Sequence, residues 1–521
     1  MKGHYAMTRH RRAATRSTLA LTLALAAAAG GCNTFLDIND DPNNPQNVAM
    51  ELTLPGMLMA FGHEVIAPTE SRYGNLTGPT AWGSQWMQQW SHNRDTHTYA
   101  EHRLYEVANA DASRFWDRSY ADVMREAVNI MARSEESGQT QFRGIAKFML
   151  AWTATQVSDA YGPITFTEAF NTANRTPVYD TQQSVYAAAF TLIDEAIADM
   201  QSTHAFPVGY TDILYKGDMG KWVRLANSVK ARLHLHLAYA PGESAAERAQ
   251  SALTALAAGM AGPADAPVIA YEGGEDSEQP FYYFGDGAGE NQGSDNARSS
   301  EFMVELLRGT ADPRLPVLFA SATLVCPDGP GYQREQCTVA TAPVFRGHPS
   351  ASPGQPDSAI SAIGPFFAAD SADHVWFRYE ETRFIEAEAR LILSGAAAAD
   401  APYRDGIRAS MERLRVPAAD ITAYLAALPP LSSEASALEA IITQKYIANF
   451  LTVEVWNDWR RTGYPLMTPV PGAMIDGIPQ RIRTPESEMS YNVEQVAATG
   501  IHTGLVGMLT EVWWASGTPP Q

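Results

Sequence analysis

Cysteine is scarce in this 521-residue sequence, which contains only Cys32, Cys326 and Cys337. Three cysteines are too few for a framework of disulfides, and their spacing fits no zinc site. Basic residues are also few: 38 Lys and Arg stand against 58 Asp and Glu, and the formal net charge is −20. Because an acidic surface repels phosphate backbones, the composition argues against nucleic acid as a partner.

Motifs of common enzyme classes are missing as well. The sequence has no G-x-S-x-G nucleophile elbow, no G-x-x-x-x-G-K-[ST] phosphate loop and no H-E-x-x-H metal motif. His234 and His236 are two positions apart on a predicted helix, where side chains point about 200° apart and do not suit one ion. The acidic segment 271–296 offers oxygen atoms for calcium but lacks the ligand spacing of an EF-hand. We therefore predict no catalytic residues, no metal and no cofactor, with calcium as an unsupported alternative.

The N-terminus is typical of an exported lipoprotein. Residues 1–31 place five basic side chains and no acid before the apolar run STLALTLALAAAA, which is the order of a signal peptide. The following Ala29-Gly30-Gly31-Cys32 resembles a bacterial lipobox. This pattern predicts that Cys32 becomes the first mature residue and carries acyl chains, each buried methylene contributing about 0.8 kcal/mol to membrane binding. Residues 32–50 then form a lipidated tether, and residues 51–521 form a single domain.

Export also bears on the other two cysteines. Exported proteins meet oxidising conditions, and CPDGPGYQREQC places Cys326 and Cys337 on either side of a Pro- and Gly-rich turn. We predict that these cysteines form a disulfide. The alternative is two free thiols.

Beyond the tether, apolar residues recur at helical spacing almost everywhere. In 180–200 they lie three and four positions apart behind a cap at Asp180 or Thr181, and 217–238 repeats the pattern behind Asp218. The segment 438–465 is predicted to form one more helix, with Gly463 as its C-terminal cap. Three long segments show no period, namely 201–218, 262–297 and 326–372. The sequence therefore predicts a mostly α domain with long loop insertions.

Seven stretches carry a resemblance to a known family. They occur in order along the chain and are SDAYGPITFTEAF (158–170), YKGDMGKWVRLANSVKARL (215–233), SSEFMVELLRGTADPRLP (299–316), YEETRFIEAEARLIL (379–393), YRDGIRASMERL (403–414), ITQKYIANFLTVEVWNDWRRTGYP (442–465) and EVWWASG (511–517). Together with FLDINDDPNNP after the lipobox, they resemble the SusD/RagB family of outer-membrane nutrient-binding lipoproteins, and its SusD-like branch in particular. We interpret the motifs themselves as caps, packing faces and ion pairs of helices.

The resemblance implies a fold and a role. The fold would be a SusD-like one with tetratricopeptide-like helix pairs and long loop insertions. The role would be that of a non-catalytic lipoprotein on the cell surface, which binds a glycan or peptide and delivers it to a TonB-dependent, SusC-like transporter in the outer membrane. No ligand-binding residue can be carried over, because the family has no shared motif for them.

The sequence is also compatible with two other functions. A lipid-anchored hydrolase of the same polymer would use paired acids in the loops, and Glu275, Asp276 and Asp286 are candidates. A periplasmic helical-repeat scaffold would follow from the helix pairs alone.

The ligand site is predicted from the residues themselves. Trp82, Trp86 and Trp90 lie at i, i+4 and i+8 and would form one stripe on a helix; large aromatics are mostly buried, which favours a core position for Trp82 and Trp86. Trp90 borders a polar segment, and a second aromatic and amide cluster lies in 279–293. Sugars need such mixtures because they combine an apolar ring face with a rim of hydroxyls. The predicted ligand-binding residues are Trp86, Trp90, Asn93, Arg94, Tyr282, Tyr283, Asn291 and Gln292, with Trp90 and Tyr283 as stacking platforms.

Overall fold

A computed structural model of the protein describes residues 49–68, 77–93, 100–202, 207–274, 277–284, 297–327, 334–350 and 357–517. The chain divides into two units, 1–52 and 53–521, and nearly all described residues belong to the second. The predicted signal peptide and Cys32 lie outside the described residues. Within the described ranges, no helix is both long and apolar enough to cross a bilayer.

The described chain is mostly helical, as the sequence predicts. Its helices are α1 (Met50–Ala60), α2 (Gly78–Trp86), α3 (Asn109–Arg118), α4 (Arg125–Ser137), α5 (Thr140–Tyr161), α6 (Gln182–Gln201), α7 (Met219–His236), α8 (Ala245–Leu256), α9 (Glu301–Gly309), α10 (Leu315–Leu318), α11 (Pro365–Ala368), α12 (Tyr379–Ser394), α13 (Ala396–Arg413), α14 (Ala418–Ala427), α15 (Glu434–Ala448), α16 (Glu454–Thr462), α17 (Glu486–Tyr491) and α18 (Val493–Ala498). The prediction of a mostly α fold is confirmed.

Helices that are neighbours in sequence pack in pairs. The closest associations are α5 with α6, α12 with α13, and α7 with α8. Helix α5 lies at the centre and is buried along most of its length. Gly144 permits its approach to α6, since a Cβ there would lie 2.7 Å from Met200 Cγ and 2.9 Å from the Ala196 carbonyl oxygen. The framework of the domain is therefore a set of local helix pairs.

The capping residues that the sequence predicts are found at the ends of their helices in the structure. Thr181 Oγ1 accepts a hydrogen bond from the Ser184 amide at the start of α6, and Asp218 caps α7 through the Lys221 amide. Such caps satisfy amides that have no partner inside the helix. Helix α16 ends at Gly463, which adopts the left-handed conformation with φ 78°. These three predictions are confirmed.

The region 438–465 is not one continuous helix, contrary to the sequence prediction. It consists of α15 and α16, separated by a short turn in which Leu451 has φ 61°. A non-glycine residue at positive φ cannot continue a right-handed helix, so the chain changes direction there. The apolar spacing on both sides of the turn conceals the break in the sequence.

Six short strands pair in the described chain, and two of them, at 268–269 and 338–344, lie within segments predicted to be loops. The strands are β1 (Trp90–His92), β2 (Val268–Ile269), β3 (Ala297–Ser299), β4 (Ala322–Val325), β5 (Thr338–Val344) and β6 (His374–Val375). They form antiparallel pairs β1–β3, β2–β6 and β4–β5. The strands are too short to show the alternation by which a sequence reveals a sheet.

The hairpin of β4 and β5 carries a disulfide. Cys326 and Cys337, the two cysteines for which the sequence predicts a bond, are joined with a Cα–Cα distance of 4.1 Å. Cys326 is buried against Ala359, and Leu324 packs on the same cluster. The bond closes the end of a hairpin that exposes Val339 to solvent.

Candidate functional site

Strands β1 and β3 form a short antiparallel ribbon next to which the two predicted ligand-binding segments meet. In its register Trp90 lies opposite Ser299, and His92 lies opposite Ala297. The ring of Trp90, from the first segment, contacts that of Phe284, from the second, with centroids 4.9 Å apart. We call the His92–Ala297 end of this ribbon the ribbon end. Arg94, Asn291 and Gln292 lie outside the described residues.

The structure corrects the roles predicted for the tryptophans. Helix α2 ends at Trp86 and Gln88 has φ 51°, so Trp90 lies on a strand and not on a helical stripe. Trp82, Trp86 and Trp90 are all completely buried. The Nε1 atom of Trp90 donates to Ser84 Oγ at 2.9 Å, and that of Trp86 donates to the His102 carbonyl oxygen at 3.2 Å. Rings without exposed surface offer no stacking face, so the ligand-binding roles of Trp86 and Trp90 are wrong for this conformation.

Two further predicted residues are buried and one is not. Asn93 has no exposed surface, and Tyr283 is 5% exposed. Asn93 as a hydrogen-bond partner and Tyr283 as a stacking platform are therefore also corrected. Tyr282 is partly exposed and contacts Tyr283 edge to face, with ring centroids 5.3 Å apart. Among the predicted aromatic residues, Tyr282 is the one whose ring a ligand can reach.

A chain of aromatic contacts leads from the ribbon end to a cavity. Trp90 contacts Phe284 with ring centroids 4.9 Å apart, Phe284 contacts Phe281 at 5.9 Å, and Phe281 contacts His374 at 5.5 Å. Phe281 and His374 line the cavity, which has a volume of about 570 Å³. This volume lies within the roughly 300–1,000 Å³ range that is typical of small-molecule sites.

The cavity wall combines aromatic rings with charged side chains. Its aromatic residues are Phe281, Phe366, Phe367, Trp376, Phe377 and Tyr379. Arg232 and Glu381 form a buried ion pair in which Arg232 Nη2 lies 2.7 Å from Glu381 Oε2. Arg413 Nε donates to Glu380 Oε1 at 2.6 Å. Both buried carboxylates of the wall are thus neutralised by guanidinium groups.

Several buried polar atoms of the wall lack a hydrogen-bond partner among the described residues. They are Nδ1 of His374, Nε1 of Trp376, Nε of Arg378 and both amide atoms of Asn449. Burial lowers the pKa of His374 to about 3, and the neighbouring His63 and Arg378 act in the same direction. The imidazole is therefore neutral at pH 7. These polar atoms are enclosed within the wall, and His374 adds no charge to it.

The sequence contained a signal for this wall that composition alone did not reveal. Residues 374–381, HVWFRYEE, combine aromatic with charged side chains between the predicted loop 326–372 and the middle of the helical stretch 379–393. Strand β6 and the start of α12 position them in the structure. Their convergence with Asn449, which follows α15, depends on tertiary packing and could not be predicted from spacing.

A second buried polar cluster is structural. His236 Nε2 is hydrogen-bonded to Glu454 Oε1 at 2.7 Å, and its Nδ1 is bonded to the hydroxyl of Tyr186 at 2.9 Å. Tyr186 in turn donates to Asp159 Oδ1 at 2.6 Å. These residues connect α5, α6, α7 and α16, and none of them lines the cavity. We call them the His236 cluster.

Neighbouring ion pairs extend this polar core. Lys445 Nζ lies 2.9 Å from Asp458 Oδ2, and Arg461 Nη2 lies 2.6 Å from Asp458 Oδ1. Arg461 also binds Glu388 with two guanidinium nitrogens. All four residues are buried. The family-like stretches thus supply ion pairs of the helical core. Within the described residues, no group of three or more His, Cys, Asp and Glu could hold a metal ion.

The fold defines a class of protein built from consecutive helix pairs with long inserted loops. Residues 63–485 match the model of the SusD-like family, whose description is "Starch-binding associating with outer membrane". This match covers most of the chain, and the protein therefore belongs to the SusD-like family. The resemblance seen in the sequence is confirmed.

Solved structures show the same fold. A chitin-binding SusD homolog from Flavobacterium johnsoniae is 22% identical, with a TM-score of 0.72, and the match covers 89% of this chain and 99% of that one. A SusD/RagB family protein from Bacteroides thetaiotaomicron is 21% identical, with a TM-score of 0.69, over 91% of this chain and 100% of that one. At such identities the likeness establishes the fold. No curated protein matches the chain significantly.

Proposed function

We propose that this protein is a non-catalytic cell-surface lipoprotein that binds a glycan and delivers it to a TonB-dependent transporter of the outer membrane. The observation that carries the proposal is the partly exposed ring of Tyr282, which lies in the segment whose Phe284 packs on Trp90 of β1. A glycan is favoured over a peptide because the family description concerns starch and a structural relative is named for chitin.

The cavity supports a binding role over a hydrolytic one. Glycoside hydrolysis requires two carboxyl groups that are free to act as acid and as base or nucleophile. Glu380 and Glu381, the buried carboxylates of the wall, are each bound to a guanidinium. Asp373 and Glu412 also line the cavity, but both are exposed to solvent. Glu275, Asp276 and Asp286, the acids considered from the sequence, lie outside the described residues. Incubation with starch and chitin oligosaccharides should release no new reducing ends.

Tyr282 provides the first test of the binding surface. Removal of its partly exposed ring should weaken binding of malto- or chito-oligosaccharides at least fivefold, because a stacked aromatic contributes about 1–3 kcal/mol in comparable sites. Isothermal titration calorimetry would measure the change in Tyr282→Ala. Tyr210→Ala is the matched control, since Tyr210 is 90% exposed and lies outside the ribbon end. Equal affinities of the two variants for every oligosaccharide bound by the wild type would place the site elsewhere.

The anchor and the transporter can be tested together in native membranes. Wild-type protein purified from detergent-solubilised membranes should carry lipid on the peptide that begins at Cys32 and should co-purify with a large β-barrel protein. Cys32→Ala should carry no lipid. A permanent interface would bury more than about 2,000 Å². An unmodified Cys32 in membrane-derived protein would contradict the anchor, and repeated absence of a barrel would favour the scaffold function.

A further inference from the structure

Arg378 in the cavity wall is a buried cation without a carboxylate partner among the described residues. It is 6% exposed. Its Nη1 donates to the Ala448 carbonyl oxygen at 2.6 Å and its Nη2 donates to that of Phe450 at 2.8 Å. These carbonyls at the end of α15 hold the guanidinium in place, and a helix C-terminus favours a cation. They do not neutralise its charge, and its Nε has no hydrogen-bond partner in the described chain.

A second arginine adds positive charge beside it. The guanidinium carbons of Arg378 and Arg413 lie 5.6 and 5.7 Å from the centre of the same ring, that of Phe367. Burial lowers the pKa of Arg378 to about 9, and the charge of Arg413 acts in the same direction, whereas Glu380 and Glu381 oppose it. Arg415 also lines the cavity, as do the exposed carboxylates of Asp373 and Glu412, so the four arginines of the wall face four carboxylates. The uncompensated positive charge is therefore local to Arg378, and a negatively charged group that reaches its guanidinium would be stabilised there.

The rest of the wall suits a ring with polar substituents. Phe366 and Phe367 are partly exposed and present aromatic surface to the cavity. Such faces can stack on the apolar face of a sugar ring. The amide of Asn449 and the indole nitrogen of Trp376 are enclosed by the protein and are not available to a ligand in this conformation.

We propose that the cavity is a second binding site and that it takes an acidic sugar unit, a uronic acid. The carboxylate of the sugar pairs with Arg378, and its ring lies against the aromatic wall of Phe366 and Phe367. This inference rests on the proposed function, because it specifies one kind of glycan that the protein recognises.

The first experiment compares charged with neutral sugars of equal length. Calorimetric titration of the full-length wild type should show at least tenfold tighter binding of digalacturonic acid than of maltose or diacetylchitobiose. Ala372 lines the cavity and is partly exposed, so Ala372→Trp should fill the space and weaken digalacturonate binding at least tenfold. Ala258→Trp is the matched control, since Ala258 is exposed and lies outside the cavity wall. The Ala258→Trp variant should bind digalacturonic acid with the affinity of the wild type.

The second experiment tests charge without removing the buried arginine, whose loss could unfold the protein. Ala372→Asp and Ala372→Asn place side chains of nearly equal size at the same position. Digalacturonate should bind the aspartate variant at least fivefold more weakly than the asparagine variant, and the difference should shrink at high salt. Neutral oligosaccharides should not distinguish the two variants.

The outcomes separate this inference from the proposed function. Equal affinity for neutral and acidic disaccharides would overturn the uronic acid site and leave glycan binding intact. Unchanged digalacturonate binding in all Ala372 variants would show that the cavity is not its site. If no neutral or acidic oligosaccharide or polysaccharide binds the wild type, the proposed function fails and the cavity site fails with it.

Discussion

Replacement of Arg461 by methionine is expected to lower the free energy of unfolding by about 3–5 kcal/mol, the usual effect of breaking a buried ion pair. Arg461 has no exposed side-chain surface and binds both Glu388 and Asp458. Its loss leaves the Glu388 carboxylate buried without a cation, and desolvation of that charge is what destabilises the fold. Urea denaturation at pH 7, followed by circular dichroism, would measure the change.

An exposed arginine of the same fold provides the control. Arg408 pairs with Asp405, but their side chains are 46% and 52% exposed, so Arg408→Met should cost less than about 1 kcal/mol. The double variant Arg461→Met/Glu388→Met should recover part of the loss, because it removes the uncompensated charge. If Arg461→Met and Arg408→Met lowered the free energy of unfolding by similar amounts, the buried ion pair would contribute no more to stability than the surface pair.

A second large effect is expected from pH through His236. Burial alone lowers its pKa, but Glu454 and Asp159 more than reverse this and raise the pKa to about 9. The folded protein therefore holds a proton that the unfolded chain releases near pH 6.5. The stabilisation from this proton is complete below pH 6.5 and is lost as the pH rises through 9. The shift corresponds to roughly 3 kcal/mol of unfolding free energy.

Urea denaturation between pH 6 and 10 would reveal this dependence. His236→Gln should be less stable than the wild type at pH 6 and should lose much less stability over the interval. His234 and His374 have pKa values lowered to about 3 in the folded protein, so their unfolded-state titration near pH 6.5 makes stability rise with pH in this part of the interval. This contribution is the same in the wild type and in His236→Gln and cancels when the two are compared. Other groups, such as Arg378 with its pKa lowered to about 9, also titrate in this interval, so the decisive quantity is the difference between the two proteins. An equal pH dependence of stability in the wild type and in His236→Gln would refute a protonated His236.

Much of the helical framework was predictable because its signals are local. The caps at Thr181 and Asp218 and the left-handed Gly463 each act within a few residues, and the apolar faces of α6 and α7 repeat along the same segment. The break at Leu451 was missed since helical spacing continues on both sides of it. Local signals identify helices, but they do not show where a turn separates two consecutive helices that have the same apolar spacing.

The candidate site was only partly predictable. Both segments at the ribbon end were recognised by composition, yet Trp90 was assigned to a ligand because polar neighbours in sequence suggested exposure. In the fold it packs on Phe284, which lies far along the chain. The cavity wall joins β6, the start of α12 and the turn after α15. No single stretch of sequence contains that combination, so it could not be predicted without the tertiary structure.

The β1–β3 ribbon also has a consequence for the order of folding. Ser300, next to β3, donates its hydroxyl to the carbonyl oxygen of Gln88, a partner 212 positions away. Contacts between such distant positions require closure of a long stretch of chain, whereas α5 and α6 are successive helices and can associate early. The helix pairs should therefore form first and the ribbon end last. The surface that we propose for ligand recognition would then be completed only at the final stage of folding, after the helical core is already in place.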